Sequence, residues 1–573
     1  MSFNTLPRMG ETSSGAGEDA CHGTIPQGAT PLVSRHPLDW FRVFGPGAVI
    51  ASLTIGAGEL IFSSRSGALF GYRLLWFFAL ILLFKWALVF ACARHMVLTG
   101  AHPFQRWMEM AGPRGWLPLV FLLLALLCFP IWVCFHAGTV GTLLSWLTGT
   151  DGLLHGTAYL LWGIAVLGFV LLLIFTGGYA RLERIQITIT ILMVVAVAVS
   201  LFWLNPDWLE LAKGFLWPRP FDYPPWVSAY PDIKARPVWV ETVTYVGVIG
   251  GSGYDYLAYA SYLRDKGWGQ AGRGMADERL LQAMAKDPAH PNRRWVRACR
   301  LDCTLSFLAV LVFTVVFVAC GAIVLGPQEK VPSGTNLLAL QAEFVTPIYP
   351  WLKWVYFAGA FLAMFGTLYG TIEVAPTVLR ELVAAAKVGQ ASSLPRPTSA
   401  TDTQTGRQEA CPTFQMRSTP ASQSDENPRE TSARCRLGAV WWCGLGGVLL
   451  LAGSFAYAFV TEVKAPPGLV ALLTPANLFT GVLACGLICL LNCWMDRRFL
   501  PSGLRMSQPL RALNWVAGVL FLFLGFKGYW DHGGWRPWAI LMGTLGAGWV
   551  AAYLWNSGLK SQENSSARSD ESE

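Results

Sequence analysis

The feature that most constrains this chain is its set of long apolar segments. A helix rises ~1.5 Å per residue, so about 20 apolar residues cross the ~30 Å hydrocarbon core of a bilayer. Charged residues make up only 14% of the 573 residues, whereas a soluble domain carries about 25%. The sequence therefore predicts an all-α polytopic membrane protein embedded in a lipid bilayer, with about twelve spans at roughly 43–70, 74–98, 116–147, 156–176, 183–204, 240–262, 302–326, 350–382, 437–461, 468–493, 510–530 and 536–556.

The basic residues predict which way the chain crosses the membrane. Arg and Lys cluster in the connections before the fifth span and after the sixth and tenth spans, all on one side of the predicted bilayer. Cytoplasmic loops carry such an excess, so we assign this side to the cytoplasm. An even number of spans then places both termini inside, as in a plasma membrane or bacterial inner membrane protein. The net charge of +8 belongs to these loops, and no nucleic-acid partner is expected.

The polar stretches divide the chain into five parts. Segments rich in Ser, Thr, Gln and Pro cannot bury enough apolar surface to fold alone. We therefore expect a disordered cytoplasmic N-terminus, helices 1–8, a disordered cytoplasmic insert, helices 9–12 and a disordered tail, at residues 1–38, 39–383, 384–436, 437–556 and 557–573.

Two predicted spans are interrupted near their middles by glycines and a carboxylate. The first contains Thr54-Ile-Gly-Ala-Gly-Glu59, and the sixth contains Ile249-Gly-Gly-Ser-Gly-Tyr-Asp255. Unwound backbone is tolerated at that depth where it lines a cavity, and paired interruptions in two halves of a chain indicate a transporter site. The alternative is that the glycines only let helices pack closely. The candidate substrate or ion ligands here are Gly56, Gly58, Glu59, Gly251, Tyr254 and Asp255.

Five segments in order resemble the Nramp family of metal-ion transporters. They are Gly45-Pro-Gly47, Gly67-Ala-Leu-Phe-Gly-Tyr-Arg-Leu-Leu-Trp76, Gly177-Gly-Tyr-Ala-Arg-Leu-Glu183, Leu211-Ala-Lys-Gly-Phe-Leu-Trp-Pro218 and Val296-Arg-Ala-Cys-Arg-Leu-Asp302. The resemblance implies the LeuT-type fold, a five-plus-five inverted repeat in which helices 1 and 6 are discontinuous. It also implies secondary-active transport by alternating access, coupled to a proton or sodium gradient.

The departures from this family fall at the expected binding site. The family's Asp-Pro-Gly-Asn motif aligns with residues 56–59, and its Met-Pro-His motif aligns with residues 254–256, so neither set of metal ligands is retained. The acidic pair that the family uses for proton movement falls on Phe135 and Gly138. Glu59 and Asp255 instead offer oxygen ligands, which suit a hard divalent cation such as Mg²⁺, or an ion like Mn²⁺, without a soft thioether.

Two other functions fit the same residues. Ile55-Gly-Ala-Gly58 resembles the glycine motif of amino-acid transporters with this fold, in which case Asp255 pairs with a substrate ammonium while Tyr254 and Tyr256 stack on its body. A small organic solute is then the partner, although Glu59 would repel its carboxylate. A non-transporting sensor is the third possibility. The chain has no Walker loop and no hydrolase motif, so neither an enzyme activity nor a cofactor is expected.

Several further polar residues in predicted spans are candidates for coupling or lining roles. An intramembrane ionisable residue is a functional candidate by default, and a structural ion pair or hydrogen bond is the alternative for each. Glu373, with Thr367 and Thr371, is a candidate for the coupling ion or proton, with Lys353 or Arg380 as its alternative partners. The remaining candidates are His136 as a proton relay, Asn477 as a lining residue, Lys85 as a counter-charge to Glu59 or Asp255, and Glu241 in a water-accessible position.

Overall fold

The computed structural model describes residues 47, 55–176, 192, 195–333, 336–391, 428–461 and 468–570. The expected disordered N-terminus and most of the expected insert lie outside these residues. No β-strand occurs in the part of the chain that is described. The long helices are α1 (Ile55–Ser63 and Ser64–Phe70), α2 (Leu75–Thr99), α3 (Trp116–Leu147), α4 (Ala158–Thr176), α5 (195–203), α6a (Val238–Val248), α6b (Gly253–Asp265), α7 (Pro291–Cys320 and Gly321–Leu325), α8 (Leu352–Ala391), α9 (Pro428–Thr461), α10 (Leu469–Asn477, Leu478–Leu483 and Ala484–Phe499), α11 (Gln508–Gly533) and α12 (Trp535–Asp570).

Nine helices within the described ranges are long and apolar enough to cross a membrane: α2, α3, α4 and α7 to α12. Three predicted spans are absent from this set for separate reasons. The beginnings of the first and fifth spans lie outside the described residues, and the sixth is divided into two halves that are each too short. The predicted interruption of the sixth span is therefore present. The total of twelve spans stays a prediction.

Helix 1 differs in form from the predicted break. Residues Ile55–Ser63 form a π-helix that continues directly into an α-helix, so Gly56 and Gly58 lie in a widened turn. Such π-turns occur frequently at functional sites. Both glycines also permit close packing: a Cβ at Gly56 would lie 2.0 Å from Oγ1 of Thr367, and one at Gly58 would lie 3.0 Å from the Val248 carbonyl. The close-packing alternative therefore applies to both glycines of this helix, and their role in binding stays a prediction.

Helix α1 and the two halves of helix 6 are largely buried by the longer helices around them. Helix α3 contacts α4, α8, α9 and α10, whereas α2 contacts α6b, α7, α10 and α11. The backbones of α1 and α7 meet at two glycines, because a Cβ at Gly67 would lie 2.1 Å from the Val318 carbonyl and one at Gly321 would lie 2.2 Å from the Ser64 carbonyl.

Two of the expected disordered regions contain helix. Helix α8 runs to Ala391 and α9 begins at Pro428, so both enter the expected insert. The last helix continues to Asp570, through most of the tail expected to be disordered. Residues 392–427 and 571–573 lie outside the described residues.

Candidate functional site

Helix 6 is broken by two consecutive glycines in the left-handed region. Helix α6a ends at Val248, and Gly250 and Gly251 have φ values of 84° and 95°, which L-residues with a Cβ rarely adopt. Helix α6b then begins with a capping box. The carboxylate of Asp255 accepts hydrogen bonds from the backbone N–H and the hydroxyl of Ser252, at 2.8 and 2.9 Å. One oxygen of Asp255 therefore stabilises the new helix end.

The carbonyls released by the break are occupied by Lys85 from α2. Its Nζ donates to the carbonyls of Ile249 and Gly251, both at 2.7 Å, and approaches the Gly247 carbonyl at 3.5 Å. The side chain is fully buried, and an ammonium has three N–H donors. Its ammonium is also near enough to both Glu59 and Asp255 for a favourable charge interaction with each.

The remaining carbonyl of the break is also taken by a side chain. The hydroxyl of Tyr256 donates to the Gly250 carbonyl at 2.6 Å. This tyrosine is therefore directed at the backbone and not at a substrate, unlike the stacking arrangement suggested by the organic-solute hypothesis. All three carbonyls from Ile249 to Gly251 thus have partners within the protein.

Glu59 is the carboxylate that the fold leaves without a partner. It is 0% exposed, and neither of its oxygens has a hydrogen-bond partner among the described residues. The backbone N–H groups of Glu59 itself and of Gly250 lie near the carboxylate without hydrogen-bond geometry, and Lys85 adds a nearby positive charge. A buried charge normally needs an ion partner or several hydrogen bonds, so this position is suited to receiving a cation.

A cavity of about 50 Å³ lies beside the break in helix 6. That volume accommodates a few water-sized groups, since one water needs about 10–15 Å³ by this measure. Predicted residues in its wall come from α1, α3, the helix 6 break and α8, and are Gly58, His136, Gly251, Tyr254, Asp255 and Thr371. The first and sixth spans therefore both contribute to the wall, whereas Gly56 and Glu59 are not among its lining residues.

Several residues of the cavity wall were not among the candidates predicted from the sequence. They are Cys128, Phe129, Trp132, Gly247, Val248, Ser252 and Thr480. Cys128, Trp132 and His136 are spaced four residues apart, so they lie on one face of α3. The sequence therefore contained a pattern from which Cys128 and Trp132 could have been predicted to lie on the same helix face as His136. Trp132 also reaches α10, where its Nε1 donates to Oγ1 of Thr480 at 3.1 Å.

Asn477 and Tyr254 contact other helices through hydrogen bonds. Nδ2 of Asn477 donates to the Thr244 carbonyl at 2.9 Å, while its buried Oδ1 has no partner in the described part of the chain. Asn477 packs against Gly247 of α6a and lies outside the cavity wall. Tyr254 lines the cavity with its ring, and its hydroxyl donates to the Phe121 carbonyl at 2.6 Å.

The proposed coupling residues separate into two groups. Oγ1 of Thr371 lies 3.2 Å from Nδ1 of His136, and Nε2 of His136 has no partner among the described residues. Glu373 instead forms an ion pair with Arg436 of α9 at 2.8 Å. The partner is therefore Arg436, 63 positions along the chain, and not Lys353 or Arg380, which the sequence suggested as alternatives. Thr367 packs against Gly56.

Glu241 is not in the water-accessible position that the sequence suggested. It is 0% exposed and contacts Nε of Arg65 at 2.5 Å and Nη1 of Arg236 at 3.4 Å. The hydroxyl of Tyr245 donates to the same carboxylate at 2.9 Å, and Arg65 also donates to the Pro332 carbonyl at 2.8 Å. The network connects α1, α6a and the segment that follows α7.

The sequence model described as "Natural resistance-associated macrophage protein-like" matches residues 47–385 of this chain, more than half of its length. The chain belongs to the Nramp family. Membership confirms the prediction of an integral membrane transporter of metal ions rather than an enzyme, and does not favour an organic solute as its cargo.

Solved structures with the same fold include three of the Eremococcus coleocola manganese transporter. One is a mutant, with a TM-score of 0.60, 14% identity, and coverage of 93% of this chain and 97% of that chain. A second mutant gives the same values, and a complex with an aromatic bis-isothiourea compound gives a TM-score of 0.59 at the same identity and coverage. No curated protein matches the chain. The predicted LeuT-type all-α fold is confirmed by this similarity.

This Nramp protein has an unusual set of groups where the family holds its metal. Within the described ranges no three His, Cys, Asp or Glu side chains are placed to hold a metal together. Glu59 and Asp255 are accompanied by an ammonium, so the local formal charge is −1 if all three are ionised. The surroundings of these two carboxylates are therefore less negative than the carboxylates alone.

Proposed function

We propose that this Nramp protein carries a hard divalent cation, Mg²⁺ or Mn²⁺, across the membrane by alternating access. The observation that carries the proposal is the buried carboxylate of Glu59, which has no partner among the described residues. Asp255 in the cavity wall supplies a second carboxylate. Oxygen ligands without a thioether favour hard cations over soft ones, and the similar solved structures are described as manganese transporters.

The proposed coupling ion is the proton, with His136 as its acceptor in the cavity. An imidazole can take up and release a proton near physiological pH, and Thr371 orients its Nδ1 side. The membrane is proposed to be the plasma membrane or bacterial inner membrane, with the termini in the cytoplasm, because the basic connections lie on that side. Sodium coupling is the competing outcome of the test.

The test is uptake by proteoliposomes of Mg²⁺, Mn²⁺ and a mixed amino-acid pool, with binding calorimetry on the same preparations. We expect the wild type to bind and transport a divalent cation and Glu59→Gln to lose both activities. Glu373→Gln is the matched control, because Glu373 is paired with Arg436 outside the cavity. Transport of amino acids alone, or unchanged metal uptake by Glu59→Gln, would overturn the proposal.

Binding without flux would indicate the sensor function instead. Replacing the pH gradient by a sodium gradient separates the two coupling ions in the same assay. Metal uptake that follows only the sodium gradient would contradict the proposed role of His136 and leave the choice of cargo unaffected.

A further inference from the structure

The break in helix 6 creates a cation-binding arrangement that is already filled by the protein. Two carbonyl oxygens lie 2.7 Å from Nζ of Lys85 and a third lies 3.5 Å away. These are the oxygens that an unwound helix would present to an ion. Two carboxylates, Glu59 and Asp255, interact electrostatically with the same ammonium. The surroundings of Nζ therefore combine backbone oxygens and negative charge, as a metal or alkali cation would require.

Three features show that this contact is not a lysine extending to the membrane surface. Lys85 is 0% exposed and lies in the interior of α2, ten residues after its beginning at Leu75. Snorkelling keeps the charged group in water, which the absence of any exposed surface on Lys85 excludes. Its acceptors lie 162 to 166 positions away in the sequence, so the contact depends on the tertiary fold.

We propose that the Lys85 ammonium is a tethered cation that competes with the cargo ion for the oxygens of the helix 6 break. This inference rests on the proposed function, and it adds a residue that sets affinity and selectivity. While Lys85 is in place, a divalent cation near Glu59 meets a like charge and finds Ile249 and Gly251 already engaged. The cargo binds when the ammonium withdraws, and the ammonium returns when the cargo leaves.

The competition also accounts for the unpartnered state of Glu59. The ammonium of Lys85 donates its hydrogen bonds to backbone carbonyls. Its positive charge therefore acts on Glu59 without a hydrogen bond between them. The negative charge of Glu59 is thereby partly offset, while both of its oxygens stay available to a ligand. A cargo cation that displaces the ammonium gains both the carboxylate and the released carbonyls, and a monovalent cation gains less because it only replaces one unit charge by another.

The experiment measures Mg²⁺ and Mn²⁺ binding by calorimetry for the wild type, Lys85→Met and Lys85→Gln. Both variants remove the competing charge, and Lys85→Gln keeps an amide donor for the carbonyls in case the methionine variant does not fold. We expect each folded variant to bind the preferred metal at least tenfold more tightly than the wild type. Lys353→Met is the matched control, since Lys353 lies against Trp354 outside the cavity, and its affinity should equal that of the wild type.

The unfolding midpoint with and without metal gives a second measurement. A tenfold gain in affinity corresponds to about 1.4 kcal/mol of extra stabilisation at saturating metal, so metal should raise the midpoint of the variants more than that of the wild type. Wild-type binding with unchanged or weaker binding in both variants would overturn this inference and leave the proposed function standing. Binding only in the variants would support the inference, and no metal binding in any protein would overturn both.

Discussion

Nε of Arg65 donates to Oε1 of Glu241 at 2.5 Å, and this buried contact joins α1 to α6a across 176 positions of sequence. Arg236 and Tyr245 complete the shell of the carboxylate. Helix α1 and helix α6a, which both contribute to the cavity wall, are therefore joined to each other by a buried ion-pair network.

We expect Glu241→Gln to destabilise the protein strongly. Removing one partner of a buried ion pair leaves an uncompensated charge and costs about 3–5 kcal/mol. The measurement is the unfolding midpoint in detergent. Glu210→Gln is the control, because Glu210 pairs with Lys213 and Arg219 at the surface, where hydrogen bonds from Lys213 and Arg219 hold its pKa below the usual range. Equal midpoints for the two variants would contradict the assigned role of Glu241.

Asp255 has two separable roles, a helix cap and a charge. Asp255→Asn keeps an oxygen that can accept from Ser252, so we expect near wild-type stability with weakened metal binding. Asp255→Ala should in addition lose about 1 kcal/mol of stability, because the backbone N–H and the hydroxyl of Ser252 lose their acceptor in the capping box. Unfolding midpoints and calorimetry on both variants distinguish the roles, and full metal affinity in Asp255→Asn would exclude a charge role.

Gly250→Ala should disturb the break itself. A left-handed residue with a Cβ costs about 1–2 kcal/mol, and the new Cβ would lie 2.6 Å from Cδ2 of Leu82. We expect a lower unfolding midpoint and altered cation binding, because Leu82 and Lys85 share a helix. Gly168→Ala is the matched control in α4, where the added Cβ meets no atom within 4 Å and alanine favours the helix. A midpoint for Gly250→Ala as high as for this control would contradict the strain argument.

His136→Gln tests the proposed proton acceptor. Glutamine can maintain a hydrogen bond with Thr371 but cannot take up a proton, so we expect metal binding to persist while uptake driven by a pH gradient falls at least tenfold. Metal flux and internal acidification are measured together in proteoliposomes. Thr371→Val serves as a companion, because it removes the orienting contact and leaves the imidazole. Unchanged acidification with His136→Gln would contradict the proposed role of His136 as the proton acceptor.

The sequence allowed the fold and the interruption of helix 6 to be predicted, but not the side-chain partners around the break. Glycines 250 and 251 are visible as a helix interruption because their effect is local. Lys85 could be assigned to the second span, yet its acceptors lie more than 160 positions away, and hydropathy does not fix the rotation of a helix that is apolar all round. The same limit explains Glu241, for which burial was missed, and Glu373, for which Arg436 was not considered.

The close backbone contact between α1 and α7 at Gly67 and Gly321 has a mechanical consequence. Two helices whose backbones touch at two such points cannot slide past each other without steric overlap. We therefore expect them to move as one rigid unit. Arg65 lies between Ser64 and Gly67, the two α1 positions at these contacts, and connects the helix pair to Glu241 and to the Pro332 carbonyl. In the proposed alternating-access cycle, α1 and α7 would then move together. The hinge for that motion would lie outside these two helices.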